Sequence, residues 1–213
     1  MPVAEKSAPT PTLMIFTKAP IPGLVKTRLQ PPLSAAQAAQ LQGLLIRHCL
    51  QNLQGLTGVR LELWVNPNVD HAFFRQLAAE FPLSLHQQSA GDLGQRMANA
   101  FTHHLIQPEK ILVIGTDCPQ INLAYVQQAF DLLEQNDAVI GPALDGGYVL
   151  LGLKRFHPLI FENIHWSTPQ VLAQTRQGLI QAGFSWQELT PLTDIDRPED
   201  LNTIPQIMAQ LNL

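Results

Sequence analysis

Ile111-Leu-Val-Ile-Gly-Thr-Asp-Cys-Pro119 is the stretch that decides the fold. Ile111 to Ile114 show no polar alternation, so they suit a central strand buried on both faces. Gly115 closes the run, and Asp117 follows it just before a proline pair-breaker, Pro119. A carboxylate just past the end of such a strand stands where open α/β sheets bind their ligands, and where it can reach a hard cation such as Mg²⁺. The same aspartate also suits a plain cap for a helix beginning near Asn122.

Outward from this run the chain alternates strand and helix. Residues 12–17 are a short apolar run ending at a loop, and residues 59–66 alternate as a strand. Residues 83–87, 138–141, 147–153 and 184–189 are the further strand candidates. Ser34 and Gln37 have capping-box spacing and open an Ala/Leu/Gln helix to about residue 54. Helices are also expected over residues 70–80, from an Asp92 cap to about 106, from an Asn122 cap to 135, and over 167–182 with Pro169 in the first turn. Asp196, with Pro198 shortly after it, reads as the N-cap of a closing helix. Strands separated by helices imply a mostly parallel sheet with helices on both faces, a three-layer α/β/α sandwich.

The bulk numbers fit one domain over residues 12–213, preceded by a mobile segment, residues 1–11, that lacks the apolar core of a signal peptide. Of 213 residues 46% are apolar and 14% charged, which excludes a disordered chain. Thirteen Lys and Arg against 17 Asp and Glu leave a net charge of −4, so no general nucleic-acid or membrane surface is expected. Two cysteines, Cys49 and Cys118, are too few for a disulfide framework and suit a reducing, cytoplasmic setting. No apolar run reaches the length of a membrane span.

Five segments carry candidate chemistry. The loop Phe16-Thr-Lys-Ala-Pro-Ile-Pro-Gly-Leu-Val-Lys-Thr-Arg-Leu29 gathers Lys18, Lys26 and Arg28 in a stiff Pro/Gly frame that includes Gly23. Phosphate oxygens need fixed donors and positive charge, which such a loop supplies. Its spacing is neither G-x-G-x-x-G nor G-x-x-x-x-G-K-[ST], and a solvated loop explains it equally well. Asp117 is the second segment. Asp145-Gly-Gly-Tyr148 is the third, where Gly146 and Gly147 permit a tight turn and Tyr148 can stack on or bond to an acceptor. In Asp194-Ile-Asp196 two carboxylates of an extended segment point the same way and could complete a metal site with Asp117. The helix-entry segment Gly91-Asp92-Leu93-Gly94 could let a base or ribose lie against the backbone. By contrast, the adjacent His103 and His104 lack metal-pair spacing and are expected at the surface.

In order, K-A-P-x-P-G-x-V-K-T-R-L (residues 18–29), G-D-L-G-Q-R-M (91–97), G-T-D-C-P (115–119), D-G-G-Y-V-L-L-G-L (145–153) and D-I-D-R-P-E-D-L (194–201) resemble one bacterial family, DUF2064. Its members are also described as glycosyltransferases of the radical-SAM/selenodomain-associated or arsenosugar type, within the nucleotide-diphospho-sugar transferase superfamily. More distantly, the same segments are similar to the phospholactate guanylyltransferases. The resemblance implies a GT-A-like fold and a nucleotide or nucleotide-sugar partner with a small-molecule acceptor. It implies that Lys18, Gly23, Lys26 and Arg28 face the nucleotide phosphates, and that Gly91, Asp92, Leu93 and Gly94 lie against base or ribose. It further implies Asp117 as ligand to a divalent metal, Mg²⁺ or Mn²⁺, with Asp194 or Asp196 as second ligand, and Asp145, Gly146, Gly147 and Tyr148 on the acceptor side. Thr116-Asp117-Cys118 carries one carboxylate where the usual glycosyltransferase motif D-x-D carries a pair.

Three activities fit these residues. In glycosyl transfer an acceptor oxygen attacks the anomeric carbon and a nucleoside diphosphate leaves, with Asp117 and Asp145 as catalytic candidates. In nucleotidyl transfer a phosphorylated acceptor attacks the α-phosphorus of a nucleoside triphosphate and pyrophosphate leaves. The third is a nucleotide-binding module without turnover.

Overall fold

The run Ile111–Gly115 lies at the centre of a seven-stranded sheet, as its unbroken apolar character requires. The computed structural model of the protein describes residues 10–104 and 109–211. In chain order the elements are β1 (Thr12–Lys18), α1 (Ala35–Asn52), β2 (Arg60–Asn66), α2 (Ala72–Glu80), β3 (Ser84–Gln87), α3 (Leu93–His104), β4 (Ile111–Gly115), α4 (Leu123–Gln135), β5 (Ala138–Pro142), β6 (Tyr148–Leu153), α5 (Val171–Gln181), β7 (Trp186–Glu188) and α6 (Pro205–Met208). The strand order is β3-β2-β1-β4-β6-β5-β7. Only β6 runs against its neighbours β4 and β5; every other pair is parallel. This is the mostly parallel α/β/α sandwich expected from the strand and helix rhythm.

Alternate residues of each strand feed opposite layers. Leu13 and Ile15 of β1 join Ile46, Leu50, Phe74, Val126 and Phe130 on one face. Met14 and Phe16 join Met97, Phe101, Leu172 and Leu179 on the other. A third cluster lies off the sheet, where Leu29 of the first loop meets Leu41 and Leu45 of α1 and Ile195, Leu201 and Ile204 of the closing segment. That cluster matters for the site, because it fixes the first loop against residues 193–196.

Local signals set several boundaries. Ser34 caps α1 with the reciprocal Gln37 bonds of a capping box, and Asn122 accepts from the Tyr125 N–H to cap α4. Asp92 and Gln95 exchange the same reciprocal pair at the start of α3, 2.8 and 3.0 Å. The expected end of that helix near residue 106 lies outside the described residues, as does most of the segment 1–11; the Pro11 carbonyl already accepts from the Arg60 N–H at 2.8 Å.

Four expectations are corrected. Pro169 is not in the first turn of α5, which begins at Val171. Thr168 Oγ1 donates to the His165 carbonyl and accepts from the Gln170 N–H, holding residues 165–170 as a turn. Asp196 is not an N-cap: the N–H groups of Asp196 and Arg197 both donate to Asp200 Oδ2, at 3.0 and 2.6 Å. The closing segment is then a 3-10 turn, Pro198–Thr203, followed by the short α6. The His104 side chain is largely buried rather than on the surface, its Nε2 lying 2.9 Å from Glu62 Oε2.

Leu29→Ala removes the fully buried side chain at the centre of the third cluster, so unfolding in urea is expected to show a loss of about 2–5 kcal/mol. A loss below about 1 kcal/mol, the range of an exposed substitution, contradicts that anchoring.

Candidate functional site

The ends of β1, β4 and β5 open on one edge of the sheet, since parallel strands deliver their carboxyl termini together. Residues 192–195 run along that edge. The Leu192 N–H donates to the Pro142 carbonyl at 3.0 Å, beside β5, and the Ile195 N–H donates to the Asp117 carbonyl at 2.7 Å, beyond β4. The segment therefore brings Asp194 and Asp196 beside Asp117 and the turn holding Asp145.

The first loop closes over this edge through two ion pairs. Lys26 Nζ lies 2.9 Å from Asp117 Oδ1 and donates to the Ile195 carbonyl at 2.5 Å. Arg28 NH1 donates to Asp196 Oδ2 at 2.6 Å. The Arg28 pKa is raised chiefly by that hydrogen bond, with the charges of Asp145 and Asp194 adding to it. Asp145 and Asp194 have no cationic salt-bridge partner among the described residues. Burial pushes the Asp194 carboxyl up to about 6, and repulsion from Asp145, Asp196 and Asp117 adds to that shift. Among the described residues no three carboxylate, imidazole or thiol groups form a ready-made metal cage.

The remaining expected residues divide. Lys18 ends β1 exposed, and its ammonium has no hydrogen-bond or ion-pair partner among the described residues. Gly23 holds φ +80° at an open bend. Asp92 is occupied in capping α3, Leu93 is exposed, and Arg96 Nε donates to the Gly91 carbonyl at 2.8 Å. A Cβ on Gly94 would sit 2.5 Å from the Trp166 indole, so this glycine serves a protein contact. Asp145 Oδ1 accepts from the Gly147 N–H at 2.8 Å and shapes the turn. Gly146, at φ +93°, lets the Pro169 carbonyl approach to 2.3 Å of where a Cβ would be. Tyr148 is half-buried at the start of β6. Its hydroxyl lies against Met97 Sδ at 3.9 Å, and burial raises its pKa.

A polar network beneath the site was not anticipated from the sequence. Thr17 and Thr116, just where β1 and β4 end, share a 3.0 Å hydrogen bond between hydroxyls. Gln42 of α1 donates to both, at 3.2 and 3.5 Å. Gln88 Nε2 donates to the Thr17 and Trp64 carbonyls at 3.1 and 2.8 Å. These buried bonds hold the strand ends in register under the loops. The available signal was Gln42 itself, a polar residue in the apolar stripe of α1.

Residues 49–168 match the model of DUF2064, described as an uncharacterized protein conserved in bacteria. No curated protein matches the chain. A structure from Desulfovibrio desulfuricans G20, provisionally described as a nucleotide-diphospho-sugar transferase, is 26% identical, with a TM-score of 0.81 over 94% of this chain and 97% of that one. A 4-diphosphocytidyl-2C-methyl-D-erythritol synthase from Anaerococcus prevotii DSM 20548 is 10% identical, with a TM-score of 0.60 over 94% and 97%. A CMP:2-keto-3-deoxy-manno-octonic acid synthetase complexed with CTP is 12% identical, with a TM-score of 0.54 over 95% and 99%. The last two share the fold.

Asp194 generates a pH prediction. Its folded pKa of about 6 lies above the ordinary 3.8, so between these values the folded chain binds more protons than the unfolded one and stability falls as pH rises. Asp194→Asn is therefore expected to raise the melting temperature at pH 8 in chelator, with the gain fading as pH falls toward 4. A gain that is the same at both pH values contradicts the burial and crowding of this carboxylate.

Proposed function

We propose that this chain, which belongs to the DUF2064 family, is a metal-dependent transferase that uses a nucleotide-activated sugar and a small-molecule acceptor. The supporting observation is the 2.9 Å contact of Lys26 with Asp117, which puts the cationic loop and the acidic strand end in one site. A pyrophosphate group needs such a place, with charged donors on one side and a cation on the other.

Charge balance supports the metal. Asp117, Asp145, Asp194 and Asp196 outnumber Lys26 and Arg28, and a nucleotide adds further negative charge. Lys26 and Arg28 already pair with Asp117 and Asp196, which leaves Asp145 and Asp194. These residues fit a divalent ion shared with substrate phosphates and water rather than an all-protein cage, the usual manner of Mg²⁺. We assign the ion chiefly to the half-buried Asp194, and the proton of the acceptor hydroxyl to the exposed Asp145. Such an ion, when bound, supplies electrostatic stabilisation of the leaving diphosphate. Arg28 and the exposed Lys18 hold phosphate oxygens. The acceptor oxygen attacks the anomeric carbon, the bond from that carbon to the β-phosphate oxygen breaks, and the nucleoside diphosphate departs with the electron pair.

Nucleotidyl transfer is the second reading, favoured by the synthase folds that this chain shares and by the cations of its first loop. The leaving group separates the two. Incubation with Mn²⁺, sugar nucleotides and nucleoside triphosphates is expected to release nucleoside diphosphate from a sugar nucleotide. Release of pyrophosphate from a triphosphate instead selects the second reading, and failure of every nucleotide to bind in calorimetry contradicts both. Arg28→Ala is expected to weaken nucleotide binding about tenfold, the loss of one charge-assisted contact, while nucleoside binding is unchanged. Equal losses for both would mean that Arg28 does not meet phosphate.

A further inference from the structure

Lys26 is a charged side chain that the fold has taken out of water. The side chain is 5% exposed, and its ammonium has two partners among the described residues, Asp117 Oδ1 at 2.9 Å and the Ile195 carbonyl oxygen at 2.5 Å. Its backbone is left-handed, φ 50° and ψ 36°, a conformation that is unfavourable for a non-glycine residue. The residues that follow hold it there. The Leu29 N–H donates back to the Lys26 carbonyl at 3.0 Å, and the Leu29 side chain is wholly buried in the third cluster.

The receiving oxygens are equally fixed. The Ile195 N–H donates to the Asp117 carbonyl at 2.7 Å, so Asp117 and Ile195 form one unit joining the end of β4 to residues 193–196. A carboxylate oxygen and a carbonyl oxygen held side by side are the ligand types that hard cations take. Here the cation is attached to the chain. Asp117 itself is half exposed, so burial alone does not keep a solvent ion from it, and the ammonium sits on its Oδ1.

We propose that Lys26 is a resident cation: its ammonium fills a cation site formed by Asp117 and the Ile195 carbonyl, locks the first loop onto the strand edge, and keeps Asp117 from binding a free metal ion. An ammonium has three N–H donors, and two are engaged, so the third remains for an oxygen of an anionic ligand. The inference goes beyond the transferase reading and stands without it, because it concerns the chain before any nucleotide arrives.

The test is a Mn²⁺ titration of the full chain without nucleotide, read by electron paramagnetic resonance. Lys26→Ala is expected to bind one more Mn²⁺ than the unaltered chain. The added ion is expected to vanish in the Lys26→Ala/Asp117→Asn double variant, and to be displaced by methylammonium. Lys26→Arg, which keeps the charge, is expected to bind no extra ion. A folded Lys26→Ala chain with unchanged Mn²⁺ stoichiometry overturns the proposal, as does an added ion that persists in the double variant. Should the alanine variant not fold, Lys26→Gln keeps most of the side-chain stem without the charge and carries the same expectations. Whether sugar nucleotides are substrates has no bearing on these outcomes.

Discussion

The contact between Lys26 and Asp117 is the constraint on which the arrangement of the site depends. Without it, a loop with three cations and a strand end with one carboxylate are separate surface features. With it, three stretches far apart in sequence meet: the loop after β1, the tip of β4, and residues 193–196. An ion pair with one buried member, such as Lys26, adds little net stability, because desolvation offsets most of the attraction. What this pair supplies is register between loops, backed by the packing of Leu29 against Ile195, Leu201 and Ile204.

Beneath the ion pairs lies a second, neutral layer. Gln42, Thr17, Thr116 and Gln88 tie helix and strand ends through buried hydrogen bonds, so the loops rise from a rigid base. Beside it the acidic groups are unequally compensated. Asp117 and Asp196 have cationic partners, whereas Asp194, half-buried and crowded by other carboxylates, holds its proton to unusually high pH. An imbalance of this kind is what a divalent ion and a phosphate together relieve.

Much of the fold was legible because its signals are short-range. Ile111 to Ile114 read as a doubly buried strand, Ser34 with Gln37 as a box, and Asn122 as a cap. The strand and helix rhythm then implied the sandwich. That the candidate residues gather at one edge of the sheet also followed, since parallel strands end together. What failed depended on distant partners. Asp196 looks like an N-cap until Asp200 takes its N–H and Arg28, 168 residues away, takes its carboxylate. His104 looks exposed until Glu62 is found behind it. The cationic loop was recognised, but nothing local shows that Lys26 is already engaged.

The central claim is that cation duty in this site is divided: the Lys26 ammonium at Asp117, and a divalent ion beside Asp194. A crystal structure with a nucleotide and Mn²⁺, read by anomalous scattering, tests the division most directly. The account predicts a manganese peak at Asp194 bridging to phosphate, with Lys26 still on Asp117 and the Ile195 carbonyl. A manganese peak at Asp117 with Lys26 turned away, or a nucleotide bound elsewhere on the sheet, would contradict it.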